Sequence, residues 1–243
     1  MVAHDINKEL DEKETDSWVK LIRVLTHEIM NTITPITSIS ESILQYFKKG
    51  DQLTPPDSFN TDQITNTAKG LEVIKEQGKD LMSFVQSYRT FLSVPEPDRK
   101  LIPADKLLER VKVLLDEQAE TLKVTIEIII APENLELFID QKQITQVLLN
   151  LGKNAKQSLE GQENAVIRFK AGIDEMNKKY IQVWDNGPGI PADLIDEIFV
   201  PFFTTKNTGT GIGLSLSKQI MRLHGGRIRV VSNDNTQFTL TFD

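Results

Sequence analysis

Residues 184–214 read WDNGPGIPADLIDEIFVPFFTTKNTGTGIGL, and this stretch decides the fold. Two glycine clusters, DNGPGIP and GTGIGL, flank a Phe/Pro-rich and then a Thr/Lys-rich segment. Glycine removes the Cβ that opposes positive φ and keeps a ligand away from the backbone. Gly209, Gly211 and Gly213 run directly into a segment with Leu216, Ile220 and Leu223 on one face. That pattern predicts a loop opening a helix, a place suited to phosphate. Asp185 ends the alternating run YIQVWD, which predicts a carboxylate at a strand terminus beside a glycine-rich loop, able to accept hydrogen bonds from a ligand's amine.

Working outward, QVLLNLGKNAKQSL places Asn150 and Asn154 one helical turn apart, beside an apolar stripe of Ile144, Val147, Leu148, Leu151, Ala155 and Leu159. Each asparagine costs a helix about 0.7 kcal/mol relative to alanine. A merely solvated face is built more favourably from Glu, Lys or Gln. Two amide oxygens one turn apart suit a hard cation such as Mg²⁺, which prefers oxygen and is commonly shared with substrate phosphates.

In this order, Asn150 and Asn154, Asp185-x-Gly187-x-Gly189, Phe199-x-x-Phe202 and Gly209-x-Gly211-x-Gly213-Leu214 resemble the ATP-binding domain of sensor histidine kinases. The resemblance implies that Asp185 binds the adenine amino group and that Asn150 and Asn154 hold Mg²⁺. It also implies that Gly187, Gly189, Gly209, Gly211, Gly213 and Leu214, with Thr205 and Lys206, form the nucleotide-binding loops and a mobile lid. Phe199, Phe202 and Phe203 are expected to divide between core packing and positioning of that lid. Lys153, Lys156, Arg222 and His224 fall near this site and are read as solvated surface residues.

Upstream, Trp18, Ile22, Leu25, Ile29, Ile33, Ile36, Ile39, Ile43 and Phe47 recur at steps of three and four, predicting one long helix with one apolar stripe. KKGDQLTPPD at 48–57 predicts a loop. A second helix follows, with Ile64, Leu71, Ile74, Leu81, Val85, Tyr88 and Leu92 expected inward, ending near 94–98. Two such helices bury both stripes best by dimerising into a four-helix bundle. His27 lies about 200° around the helix from Leu25 and Ile29, hence toward solvent. Glu28 follows it, Asn31 sits one turn beyond, and Pro35 is expected to interrupt the helix. This segment resembles the HExxN phospho-acceptor box of the same family, which implies His27 as acceptor, Glu28 as the group orienting its ring, and Asn31 as a residue that positions water in a phosphatase reaction. One departure is that many members carry proline five residues after the histidine, where this chain has Thr32.

The remaining chain predicts a helix at 107–122, strands VTIEIII and LELFI around the turn APEN, a strand pair AVIRFKAGI and KYIQVWD, helix closure at Gly225-Gly226, and a final hairpin RIRVVS/QFTLTF. The expected architecture is therefore an α-helical hairpin forming a dimeric four-helix bundle, followed by an α+β sandwich with helices on one face of a mixed sheet. The partition is a helical lead-in at 1–17, a dimerisation and histidine-phosphotransfer domain at 18–96, and a catalytic ATP-binding domain at 97–243.

With 28 basic and 35 acidic residues the net charge is −7, which argues against an electrostatic nucleic-acid binder. Cysteine is absent, excluding thiol catalysis and thiolate metal sites. No apolar run reaches the roughly 20 residues of a membrane helix; the resemblance to sensor kinases implies a cytoplasmic piece of a larger sensor, anchored to membrane only through segments outside this chain. The resemblance implies a homodimer that uses ATP and Mg²⁺ and passes a phosphoryl group to the receiver domain of a response regulator. The alternative is a nucleotide-switched dimeric scaffold with little kinase activity. The related gyrase, chaperone and mismatch-repair ATPases use a glutamate one turn before the metal-binding asparagine, and Asn150 stands at that position here.

Overall fold

The structure is a computed structural model that describes residues 26, 29–116, 124–205 and 211–242. Trp18, Ile22, Leu25, His27, Glu28, Lys206 and Gly209, and the lead-in at 1–17, lie outside the described residues. The chain divides into two compact units, the first ending at Arg89 and the second beginning at Thr90.

In the first unit, helix α1 is described over 29–47 and runs on through Pro35, a correction to the expected interruption. Proline withdraws its own N–H, but the turns on either side continue. A short hairpin of β1 (Lys48–Lys49) and β2 (Gln52–Leu53) turns at Gly50, whose φ is +63°. Helix α2, Thr61–Leu92, starts at a reciprocal cap: Asn60 Oδ1 accepts from Gln63 N at 2.8 Å and Gln63 Oε1 accepts from Asn60 N at 3.0 Å.

The apolar residues of these two helices form two stripes, not one. Ile36, Ile39, Ile43, Ile74 and Leu81 are half-buried, and a Cβ added to Gly70 would lie 2.9 Å from side-chain atoms of both Ile39 and Ile43. Ile64 (61%), Leu71 (55%), Val85 and Leu92 are instead exposed, as are Met30, Ile33, Leu44 and Phe47, and no residue of α2 is fully buried. The expectation that all seven apolar residues of α2 point inward is thus corrected. Steps of three and four spread over an arc wider than one neighbouring helix can cover.

The second unit holds a five-stranded sheet in the order β4 (Thr125–Ala131), β6 (Val166–Ile173), β7 (Lys179–Asp185), β9 (Thr236–Phe242), β8 (Arg227–Ser232). Only β4 and β6 are parallel. Alternation buries Ile167, Phe169, Ala171, Ile181, Val183, Phe238 and Leu240 on one face, beneath helices α3 (Ala104–Asp116), α4 (Gln141–Ser158) and α5 (Gly213–Leu223). This is the expected α+β sandwich. The segments around APEN do not pair with each other: β4 joins β6, and β5 (Glu136–Ile139) pairs antiparallel with β3 (Lys100–Pro103), a strand the sequence reading lacks. Gly225, at φ +76°, closes α5 as expected, with Gly226 N donating to Met221 O.

Candidate functional site

The alternation of β7 that buries Ile181 and Val183 puts Asp185 on the same helix-covered face, at the strand's last residue and 4% exposed. Its Oδ1 accepts from Gly187 N at 3.0 Å, and Ser158 Oγ, at the end of α4, lies 3.4 Å from the same oxygen. Burial raises the Asp185 carboxyl above the usual carboxylate range, against the lowering effect of those two contacts. The loop after Asp185 is fixed from below. Asn186 Oδ1 accepts from Val166 N at 2.7 Å, its Nδ2 donates to Asn164 O, and Ile190 N donates to Ser232 Oγ at 2.7 Å.

Asp140 caps α4 by accepting from Lys142 N and Gln143 N, and the helix then carries Asn150 and Asn154, both half-buried. Ile144, Val147, Leu148, Leu151, Ala155 and Leu159 are buried as the periodicity requires. Asn150 Nδ2 donates to Ser217 Oγ on α5 at 3.1 Å. A Cβ on Gly213 would lie 2.0 Å from Asn150 Oδ1, so glycine is needed where α5 begins against α4. Gly211 has φ +65°, and a Cβ there would meet the Phe202 backbone at 2.4 Å; its carbonyl accepts from Phe202 N at 2.9 Å. That bond joins the two ends of the segment expected to be a lid. Phe202 is buried, Phe199 packs edge-on to Phe238 with ring centroids 6.4 Å apart, and Phe203 is half-buried.

These elements enclose a cleft of about 430 Å³. Asn150, Asn154, Asp185, Gly189, Thr205, Gly211, Gly213 and Leu214 line it, together with Lys153. Gly187 sits beneath, as the donor to Asp185. Apolar walls come from Ile190, Leu194, Ile198 and Phe203, so a flat apolar group would be sandwiched while its polar edge meets Asp185.

The family profile described as histidine kinase-, DNA gyrase B- and HSP90-like ATPase matches residues 139–243. The nucleotide-free catalytic domain of histidine kinase ThkA is 33% identical, with a TM-score of 0.53; the match covers 60% of this chain and 95% of that domain. The chain belongs to the sensor histidine kinase family. A sensory histidine kinase/phosphatase NtrB of Vibrio alginolyticus is 29% identical over 247 residues, 97% of this chain and 65% of that protein. A sensor histidine kinase NtrY-like protein of Rickettsia bellii is 28% identical over 222 residues, and the chain spans 34% of its length. ThkA in complex with the response regulator TrrA matches 95% of this chain and 65% of that one with a TM-score of 0.63; at 24% identity it is a likeness of fold alone.

Two residues of this sensor kinase depart from their sequence reading. Lys156 is buried, its Nζ donating to Leu115 O at the C-terminus of α3, and burial lowers its pKa. His224 is 3% exposed. Neither is the solvated surface residue expected, because Leu115 O takes the place of water for Lys156, and Ile220 O and Asp140 N do so for His224. Arg222 and Lys153 are exposed, as expected. Sequence reasoning missed Ser158, Ser232, Thr236 and the apolar wall. The one available signal was the register pairing that puts Thr236 opposite Asp185, which needs the hairpin partner of β7 to be known. Among the described residues no helix is long and apolar enough to cross a membrane.

Proposed function

We propose that the chain is the phosphoryl-transferring portion of a sensor kinase, in which ATP bound at the Asp185 cleft phosphorylates His27. The observation that supports this best is the convergence of Asp185, Asn150, Asn154 and the glycines 189, 211 and 213 on one cleft. Asp185 and the apolar wall receive the adenine. Thr205, Lys206, Gly209 and Leu214 belong to the loop that covers the phosphates. The Asn150 and Asn154 amides suit Mg²⁺: Asn150 Nδ2 is committed to Ser217, which leaves the amide oxygen as its hard donor. When bound, that ion would supply charge neutralisation to the phosphates.

Neutral His27 imidazole attacks the γ-phosphorus through one nitrogen, ADP departs, and Glu28 orients the ring and takes up the proton from the other nitrogen. The phosphoryl group then passes to an aspartate on a response-regulator receiver domain, and Asn31 positions water for the reverse, phosphatase duty. Residues 18–96 act as the dimerisation and phosphotransfer domain and 97–243 as the catalytic domain, following the lead-in at 1–17. The exposed stripes of α1 and α2 meet their counterparts in a second copy, giving a four-helix bundle in the cytoplasm. Membrane attachment, where present, comes from segments outside this chain.

The test is incorporation of label from γ-labelled ATP with Mg²⁺. Acid-labile, base-stable label in the parent, absent in His27→Gln, is expected. Nucleotide binding without label would support the nucleotide-switched scaffold instead.

A further inference from the structure

Away from the cleft, hydrogen bonds from three separate parts of the second unit converge on the N-terminus of α4 and the C-terminus of α5. The segment that follows α2 is held at three points. Pro95 O accepts from Gln143 Nε2 at 2.9 Å, Asp98 N donates to Asp140 Oδ2 at 3.0 Å, and Arg99 Nη2 donates to Leu223 O. Asp140 is also the cap of α4, with Oδ1 engaged by Lys142 N and Gln143 N. The same residue's N–H donates to His224 Nε2 at 3.1 Å, and His224 Nδ1 lies 2.9 Å from Ile220 O.

A backbone N–H only donates and a carbonyl only accepts, so these two bonds admit one state of the ring: neutral, with hydrogen on Nδ1 and none on Nε2. An imidazolium would aim a second N–H at the Asp140 N–H. Burial pushes the His224 pKa down; the Ile220 bond opposes this, the Arg99 guanidinium adds to it, and the Asp140 carboxylate opposes it. Asp98, whose N–H donates to Asp140, and Lys100, paired with the Asp98 carboxylate at 2.7 Å, are the other charges at this junction. Beyond the junction α4 carries Asn150 and Asn154, while the other end of α5 is Gly213, against Asn150.

We propose that His224 and Asp140 form a positioning junction through which the connector 95–99 sets the placement of α4 against α5, and thereby the nucleotide affinity of the cleft. The inference rests on reading the Asp185 cleft as the nucleotide site. His224 touches no substrate in this account; it acts through α4 and α5.

Two measurements on the full chain test it. The first is ¹⁵N NMR of the imidazoles of the three histidines across pH. One ring, missing in His224→Gln, is expected in the Nδ1–H form and to stay neutral to a lower pH than an ordinary imidazole. An Nε2–H tautomer for His224 would overturn the junction. The second is affinity for a fluorescent trinitrophenyl-ATP with Mg²⁺, with circular dichroism melting to confirm folding. His224→Leu leaves Asp140 N–H without an acceptor and is expected to weaken binding about five- to tenfold. His224→Gln, whose amide oxygen can accept the same hydrogen, is expected within about twofold of the parent. Arg99→Gln on the connector is expected to weaken binding in the parent and to add nothing further in His224→Leu.

Lowering the pH from about 8 to about 5.5, through the range of a depressed imidazole, is expected to weaken the parent more than His224→Gln. The sign follows from a folded-state pKa below the unfolded one: the stabilisation is present above the ordinary imidazole pKa and lost as pH falls through the lowered one. Additive losses in the double variant, or identical pH dependence in parent and His224→Gln, would overturn the coupling. If the parent binds no nucleotide, the reading of the cleft falls and the coupling with it. If it binds and the variants match it, the coupling alone falls.

Discussion

The two units differ in how far one chain completes them. In the ATP-binding unit the inward face of every central strand is covered, and residues such as Phe169, Leu148 and Ile181 are wholly removed from water. In the helical unit, α2 runs for 32 residues without a fully buried side chain, and Ile64, Leu71, Val85 and Leu92 stand in water at steps that are multiples of seven. A seven-residue repeat keeps one seam of a helix facing a packing partner. The sandwich is therefore a finished fold, whereas the hairpin leaves an apolar seam exposed, the seam that the proposed dimer would cover. In the proposed reading, nucleotide recognition belongs to the finished unit and the phosphoryl acceptor to the unit with the exposed seam.

The sharpest way to break this contrast is to charge the outer seam. Leu71→Glu with Val85→Glu is expected to lower the self-association constant by at least about 100-fold, because burying these side chains stabilises by about 1.5–3 kcal/mol each and a buried unpaired carboxylate opposes association. Light scattering coupled to size exclusion reads the mass, while nucleotide affinity is expected to stay within about twofold. A dimer that survives both charges would show that another surface holds the copies together.

Two glycines sharpen the same contrast at smaller scale. Gly213 begins α5 with Asn150 Oδ1 where its Cβ would lie, so Gly213→Ala must displace Asn150 from Ser217. The expected cost is about 1–3 kcal/mol, read as a lower melting temperature of the ATP-binding unit together with weaker nucleotide binding. Gly78 lies on the seam with Leu71 and Val85, and among the described residues no atom beyond its own stretch of helix comes within 4 Å of its Cβ position. Gly78→Ala is expected to stabilise the hairpin by up to about 1 kcal/mol, the helix penalty of glycine, measured by thermal melting. A loss of stability would instead place a partner's backbone at that point.

Much of the finished half was legible because its signals are local. The alternation of KYIQVWD placed Asp185 at a strand end, the step of four placed Asn150 and Asn154 on one flank of α4, and the glycine pair closed α5. What escaped depends on partners distant in sequence. KLIP becomes a strand only because β5 lies beside it. Ser158 has no mark in its neighbourhood that ties it to Asp185. Lys156 and His224 read as solvated because charged and polar side chains usually are, yet Lys156 donates to Leu115 O on α3 and His224 accepts from Asp140 N, both far away in sequence. In the hairpin the apolar positions were legible, but their division into an inner and an outer stripe was not. Periodicity marks which residues avoid water, and only the packing of α1 on α2 decides which of them one chain can cover.

The most direct test of the central claim is calorimetric titration of ATP into the parent and Asp185→Asn. The asparagine keeps an oxygen for Gly187 N and removes a carboxylate charge that burial disfavours. Because the folded-state pKa is raised, the carboxyl's contribution to stability is present below the unfolded pKa and lost as pH rises through the folded one. At neutral pH the variant is therefore expected to melt no lower than the parent. Its affinity for ATP is expected to fall at least about tenfold, the loss of a charged hydrogen bond to the adenine amine. Equal affinity in the two proteins would contradict the assignment of this cleft as the adenine site.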